Sequence, residues 1–462
     1  MSESHPGLAE GLAKRANCIQ LPAGFLIGTA TAAYQIEGAV ADDGRGESIW
    51  DRFSSQRGRI KGGDTARVAC DHYNLFETDI EIMAQLGINA YRFSISWPRI
   101  FPDGRGAVNC RGIEFYQRLV DKLLRSGIEP FATLYHWDLP QSLQEQGGGW
   151  LRRGVADDFA DYAYSVSRKL GDVAHWSTIN EPWTFGWWGY GFGTEAPGID
   201  GGAKSALAAI HHALLGHGKA VEAVKSNNSR AEVGIVLDLN CVSPASDVKA
   251  DFAAAKRFDG CQNRWFLEAI FNSRYPSDML ELFASDGPPV REGDMARISA
   301  PLDFLGINCY RRSIIGEGSD FPPLNIRRAS PEGRVTAMGW EIWPQSISDI
   351  LRRVDREYRP NALYITENGA AFEDRFESDG RIIDLDRAEY IIEHLEQSLE
   401  AQSRGVNLKG YFAWTLLDNF EWTLGYSARF GLVRVDFGND CARMLKSSGE
   451  YFRQIAMQAR SH

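Results

Sequence analysis

The chain has 462 residues, 44% of them hydrophobic and 24% charged, which is ordinary for a globular protein able to bury a large core. Its net charge is −11 and no basic run reaches five residues, which argues against nucleic acid or an anionic membrane surface as a partner. No stretch of 18 apolar residues occurs, so no membrane span is read.

Residues 1–24 lack a basic segment followed by an apolar one, and a cytoplasmic location is expected. The seven cysteines are scattered at 18, 70, 110, 241, 261, 309 and 441 with no CxxC spacing. An odd, dispersed set reads as reduced structural thiols and not as a disulfide framework or zinc site. The 13 Trp, 16 Tyr and 24 Phe are more pointed. Most fill core, but tryptophans near loop ends suit the apolar C–H face of a sugar ring.

Residues 1–20 read as a loosely attached N-terminal arm, and 21–462 as one catalytic domain. From there β-rich runs alternate with longer helical periods. Strands are predicted at 25–31, 90–94, 130–135, 175–179, 232–238, 304–307, 363–366 and 411–415. Helices are predicted at 73–86, 112–126, 155–170, 204–225, 345–358 and 386–404, with a last one near 446–459. Eight such units describe an α/β fold, a single closed (β/α)8 or TIM barrel, although a doubly wound open sheet alternates too. The segments 37–72, 184–203, 240–300, 309–344 and 416–445 are long for connections. They follow or surround strand C-termini, where barrels build their active sites.

Two of those strands stop at a glutamate. The fourth runs His175-Trp176-Ser177-Thr178-Ile179-Asn180-Glu181-Pro182, and the seventh Tyr364-Ile365-Thr366-Glu367-Asn368-Gly369. Strands four and seven of an eight-stranded barrel face each other across its mouth. Glycoside hydrolysis needs such a pair, one carboxyl protonated to donate to the departing oxygen and one ionised to attack or to activate water. A separation of about 5–5.5 Å gives retention and about 6.5–9.5 Å inversion; sequence does not provide it. A single rim glutamate is as readily a solvated surface residue.

With these residues in place the chain resembles glycoside hydrolase family 1, the β-glucosidase family. Asn180-Glu181-Pro182 resembles its acid/base motif and Thr366-Glu367-Asn368-Gly369 its nucleophile motif. The run from Phe25 through Ala33-Tyr34-Gln35-Ile36-Glu37-Gly38-Ala39 resembles its N-terminal signature. Further matches are Asp43-Gly44-Arg45-Gly46, Tyr91-Arg92-Phe93-Ser94-Ile95-Ser96-Trp97 and His136-Trp137-Asp138-Leu139-Pro140. Asp303-Phe304-Leu305-Gly306-Ile307-Asn308 and the run from Trp414 to Phe430 complete them, and coverage begins near residue 22.

The resemblance implies a retaining β-glycosidase, a β-glucosidase first of all, acting on a small β-glycoside or oligosaccharide. Glu181 is then the acid/base and Glu367 the nucleophile. Gln35, His136, Trp137 and Asn180 would hold ring hydroxyls; Trp414 would be the floor; Glu421, with Trp422 and Phe430, would close the far end. Arg92 and Tyr310 would orient Glu367, Asn308 would support the same site, and Trp340 would be a platform for the leaving group. It implies no metal and no organic cofactor, and His211, His212 and His217 sit on a predicted helix and read as structural. Homo-oligomerisation is left open.

Some positions depart from the family pattern. Cys309 stands where Tyr is common, and Glu195 where His is expected near the aglycone entrance. The run Phe185-Gly186-Trp187-Trp188-Gly189-Tyr190 is unusually aromatic, either lining a hydrophobic leaving-group site or packing its own loop. A 6-phospho-β-glycosidase would need a cationic pocket where Glu421 stands. The same residues would also serve a transglycosylase, which shares the first chemical step, or a sugar-binding protein without catalysis.

Overall fold

The computed structural model describes residues 5–459. Eight parallel strands close into one barrel: β1 Leu26–Ala30, β2 Ala90–Ser94, β3 Glu129–Tyr135, β4 His175–Asn180, β5 Glu232–Asp238, β6 Phe304–Asn308, β7 Leu363–Asn368 and β8 Leu408–Trp414. Each pairs with the next, and β8 closes on β1 with Ala30 opposite Trp414. A doubly wound open sheet is thereby excluded. All eight predicted strands are present; the largest boundary difference is β8, which starts at Leu408 because its first residues still pair with β7.

The longer helices are α1 His5–Cys18, α2 His72–Gln85, α3 Cys110–Arg125, α4 Val155–Lys169, α5 Gly202–Asn227, α6 Lys249–Asp259, α7 Trp265–Asn272, α8 Gln345–Tyr358, α9 Leu385–Ser403 and α10 Ser447–Ala459, with shorter helical turns between them. In α3, Ile113, Tyr116, Leu119, Val120 and Leu123 are buried at the i, i+3, i+4 spacing that gives a helix one apolar face. The segment 240–300, read from sequence only as a long connection, is largely helical through α6 and α7.

Strands covered on both faces are apolar throughout, and polar exceptions inside them need partners. β2 is buried along its whole length and carries Arg92 in its centre. Lower in the barrel Phe131 meets Phe304, Tyr364 and Phe412 edge-on with ring centres 5.1, 5.3 and 5.3 Å away. Trp414 belongs to the same buried cluster, so this aromatic layer also supports the floor of the barrel mouth.

The expectation of a loose arm is corrected. Residues His5–Cys18 form a helix whose Leu12 and Ala16 are buried. The Tyr451 hydroxyl donates to the Ala9 carbonyl at 3.1 Å and Gln458 to Ala16 at 3.0 Å, both from α10, while Arg15 pairs with Glu396 of α9. An apolar spacing diluted by Lys14 and Arg15 hid this docking from the sequence pattern.

The long loops after β7 and β8 are joined by charge. Lys446, with no exposed side-chain surface, lies 2.8 Å from both Asp374 and Asp418. Arg434 also reaches Asp374 at 2.7 Å, and Arg429 reaches Asp418 at 2.9 Å. Removing one member of a buried ionic network leaves its partners uncompensated, at a cost of about 3–5 kcal/mol. Lys446→Met is therefore expected to lower the urea midpoint of unfolding substantially. A midpoint equal to the native one would show that the two aspartates do not depend on this cation.

Candidate active site

The strand C-termini open onto a cavity of 370 Å³. Of the residues singled out from sequence, His136, Trp137, Glu181, Asn308, Tyr310, Trp340, Glu367, Trp414, Glu421, Trp422 and Phe430 line it. Gln35, Arg92 and Asn180 are buried immediately behind, bonded to residues that do.

Both glutamates are aimed by a break in strand regularity. On β7, Ile365 faces Ile307 but Glu367 faces the very next residue of β6, Asn308, so β7 carries one extra residue there. On β4 the pairing steps from Ser177↔Gly234 to Asn180↔Val236, again one residue long. Bulges of this kind re-aim a side chain at a barrel rim. Glu181 follows at φ 47°, a left-handed conformation uncommon for a side-chain-bearing residue, and Trp137 and Trp422 share it at φ 78° and 47°. Such strained positions gather at functional sites. Gly369 explains its own place: a Cβ there would lie 1.7 Å from the Trp414 carbonyl oxygen.

A continuous hydrogen-bond chain joins the two glutamates. Arg92 Nη1 donates to Glu367 Oε1 at 2.5 Å and Arg92 Nη2 to Asn180 Oδ1 at 2.7 Å. Tyr310 Oη donates to the other Glu367 oxygen at 2.6 Å. Asn308 Nδ2 donates to Asn180 Oδ1 at 3.1 Å and to Glu181 Oε1 at 2.6 Å, with its own oxygen held by the Thr366 hydroxyl at 2.7 Å. Thr184 Oγ1 donates to Glu181 Oε2 at 2.9 Å.

Two donors on Asn180 Oδ1 fix its amide, so its Nδ2 must be what faces His136 Nε2 at 3.1 Å. That histidine nitrogen is then the acceptor, and the other ring nitrogen carries the proton. Burial, helped by the Arg92 charge, pushes the His136 pKa well down, keeping the ring neutral. His136 Nδ1 and Gln35 Oε1 are buried without a partner among the described residues. The Gln35 amide donates to the Phe420 carbonyl at 3.0 Å and to Asn419 at 3.1 Å. Trp137 Nε1 donates to the Asn180 carbonyl at 2.9 Å, and its ring packs on Trp422 with centres 4.5 Å apart.

The electrostatics separate the carboxyls. Burial raises the Glu181 pKa well above the usual range, and the charges of Asp238 and Glu367 push the same way; the donors Asn308 and Thr184 oppose them. Burial lifts Glu421 to about 8, with Glu367 and Glu195 adding to the effect. Glu195 is itself pushed up to about 8 by burial, and Asp238 to about 7. Among these carboxyls only Glu367 has a guanidinium directly on it.

The cavity also has lining residues not singled out from sequence, among them Trp183, Thr184, Asp238, Asn240, Gln262, Arg311, Arg328 and Met338. Asp238 was accessible, since it ends a predicted strand as Glu367 nearly does; the others come from the connections between barrel strands, where no predicted strand end marks them. The aromatic run serves both purposes. Trp187 packs against Phe321 with ring centres 4.7 Å apart, whereas Trp188 lines the cavity. Glu195 lines it too, and Cys309 is buried with its carbonyl accepting from Asn368 at 2.7 Å. His211, His212 and His217 bond to Asp294, to the Trp150 carbonyl and to Thr178. Among the described residues no group of three or more His, Cys, Asp or Glu is placed to hold a metal, and no helix is long and apolar enough to cross a membrane.

A closed barrel presenting two buried glutamates, one on a guanidinium and one among neutral donors, defines a glycoside hydrolase. The family model for glycosyl hydrolase family 1 matches residues 17–460, and the chain belongs to that family. It is 45% identical over 444 residues to beta-glucosidase A of Acetivibrio thermocellus, covering 95% of this chain and 98% of the relative. The family 1 β-glucosidase structure from Thermotoga maritima superposes with a TM-score of 0.92 at 44% identity, covering 95% and 98% of the two chains. The same Thermotoga enzyme has been solved with isofagomine lactam and with deoxynojirimycin. A relative from Bifidobacterium breve, 41% identical over 456 residues, 94% of this chain and 97% of its own, is a bifunctional beta-D-glucosidase/beta-D-fucosidase.

The neighbours of Glu181 set its protonation in opposite directions. Asp238→Asn removes an opposing charge and is expected to move the alkaline limb of activity to lower pH. Thr184→Val removes a donor to the carboxylate and is expected to move it to higher pH. The pH dependence of kcat/KM on a β-glucoside checks both, and shifts of the same sign would contradict the assignment of that limb to Glu181.

Proposed function

We propose that the protein is a retaining β-glucosidase in which Glu181 is the acid/base and Glu367 the nucleophile. The observation that carries this is the contrast in their surroundings: both Glu367 oxygens accept, one from Arg92, while Glu181 is buried beside other carboxyls and held protonated. Glu367 attacks the anomeric carbon as Glu181 gives its proton to the leaving oxygen. Glu181, now a base, takes a proton from water, and the sugar leaves with its β configuration. Family membership supports the retaining course.

On this reading His136 and Gln35 offer their unpartnered atoms to ring hydroxyls, and Asn180, oriented by Arg92, faces the 2-hydroxyl. Trp414 forms the floor, Glu421 accepts at the far end beside Trp422 and Phe430, and Trp340 carries the leaving group. Glu421 also argues against a 6-phospho sugar, since an acid stands where a phosphate dianion would need a cation. The Bifidobacterium relative supports tolerance of β-fucosides beside glucosides. The seven free cysteines support a reducing, cytoplasmic setting.

Hydrolysis of matched p-nitrophenyl β-glucoside, galactoside, fucoside and 6-phosphoglucoside, with the product anomer followed by NMR, tests the reading. The glucoside is expected to react efficiently and the β-anomer to appear first; an α-anomer appearing first would contradict the mechanism. Glu367→Gly is expected to lose roughly 10⁴-fold or more in kcat and to recover with added azide or formate. Glu181→Ala is expected to lose about 10²–10⁴-fold on alkyl glucosides and far less on 2,4-dinitrophenyl glucoside. Full activity of either variant on an alkyl glucoside would sink the assignment.

A further inference from the structure

Two of the cations that line the cavity stand outside any ion pair among the described residues. Arg311 and Arg328 both line the 370 Å³ cavity, and both line a second cavity of 260 Å³ that shares Trp340 with it. Together the two hollows continue the site past the tryptophan that carries the leaving group.

Both arginines come from a small sheet built by the loops after β5 and β6. Strand Arg312–Glu317 pairs with Cys241–Pro244 on one side and with Ile326–Arg328 on the other. Arg311 stands just before the first of these, half-buried, with its guanidinium 4.8 Å from the centre of the Trp340 ring. Arg328 ends the last strand, exposed at the mouth, with its guanidinium 5.5 Å from the centre of the Phe258 ring. Among the described residues neither guanidinium has an ion pair or a side-chain hydrogen bond. The adjacent Arg312, by contrast, is fully committed to Glu341 at 2.6 and 2.8 Å. The acid facing them, Asp238, is engaged by Gln262 at 2.6 Å, and burial pushes it up to about 7. Glu195, the other raised carboxyl of the cavity, is pushed up to about 8 by burial and pairs with neither arginine among the described residues.

We infer that Arg311 and Arg328 form an acid-recognising end to the leaving-group side of the cavity, selecting aromatic β-glucosides whose aglycone carries a carboxylate. An aryl ring stacks on Trp340, with Trp183, Trp188 and Met338 completing an apolar slot. A carboxylate on the distal edge of that ring then meets two guanidiniums, whose planar donor forks suit a carboxylate. A neutral apolar aglycone fills the slot but leaves both cations unmatched. The inference rests on the glucosidase reading and narrows its leaving group.

The test compares kcat/KM for the 4-O-β-D-glucoside of 4-hydroxycinnamic acid with that of its methyl ester. The vinyl spacer conjugates the acid group with the scissile oxygen and makes the ester the better leaving group, so an acid preference runs against leaving-group strength, and the ratio cancels any general loss of activity. The native enzyme is expected to favour the acid by at least about threefold, a preference that narrows as salt is added. Arg311→Met with Arg328→Gln is expected to bring the ratio to one or below, and Arg311→Lys to retain part of the preference. Normal hydrolysis of the ester with no acid preference, or a preference untouched by the double variant, overturns this inference alone. Failure to hydrolyse either compound overturns the glucosidase reading with it. A parallel comparison of glucosyl-β-1,4-glucuronate with cellobiose separates the two carriers of a carboxylate, and an acid preference confined to that pair overturns the aromatic assignment.

Discussion

One buried guanidinium organises the barrel mouth. Arg92 is 1% exposed in the middle of an apolar strand, and a charge in that position is tolerated only when it is paired and hydrogen-bonded. Its two arms reach Glu367 at the end of β7 and Asn180 at the end of β4, so three strands are tied through one side chain. The orientation of Asn180 follows from that bond, the tautomer of His136 follows from Asn180, and the direction of Asn308 follows from its bonds to Asn180 and Glu181. Removing Arg92 would therefore not delete a single contact. It would free the amide on which the other orientations depend.

The same cation divides the acids. Five carboxyls line the cavity, Glu181, Glu195, Asp238, Glu367 and Glu421, and among the described residues only Glu367 of the five is in an ion pair. The other four have raised pKa values, chiefly from burial. A raised carboxyl binds its proton in the folded state at pH values where the unfolded chain has lost it. Folding stability from these groups therefore falls as pH rises from the ordinary carboxylate range toward the folded pKa values. The site thus sets chemistry against stability, and the Lys446 network between the loops after β7 and β8 lies where such a cost has to be resisted.

Much of this was legible in the sequence because the relevant signals are local. β-rich runs of a few residues between helical periods marked all eight strands, and two of those runs stop at Glu181 and Glu367. What stayed hidden is non-local. A bulge is a mismatch between neighbouring strands, so the extra residues of β4 and β7 cannot be seen in either strand alone. The docking of α1 depends on surfaces of α9 and α10 that lie far along the chain, the Arg15–Glu396 pair being separated by 381 positions. Asp238 ends a predicted strand, but its effect on Glu181 appears only once β4 and β5 are paired side by side.

The two ends of the cavity are made differently, and this bears on how such a site acquires its selectivity. Gln35, His136, Asn180, Glu367 and Trp414 lie on strands or within a residue or so of strand ends, or in a short turn leaving one, where pairing with neighbours constrains them. Arg311, Arg328, Trp188 and Trp340 come from the connections between barrel strands, and those that carry the two arginines pair with each other in a small sheet of their own. A change at the first set disturbs the hydrogen-bond chain between the glutamates, whereas the second set takes no part in that chain and, on the proposed reading, faces the leaving group. On the proposed reading, recognition of the aglycone can vary while the reacting geometry is kept, and Arg311 stands at that boundary: its neighbour Tyr310 donates to Glu367, and its own guanidinium lies over Trp340.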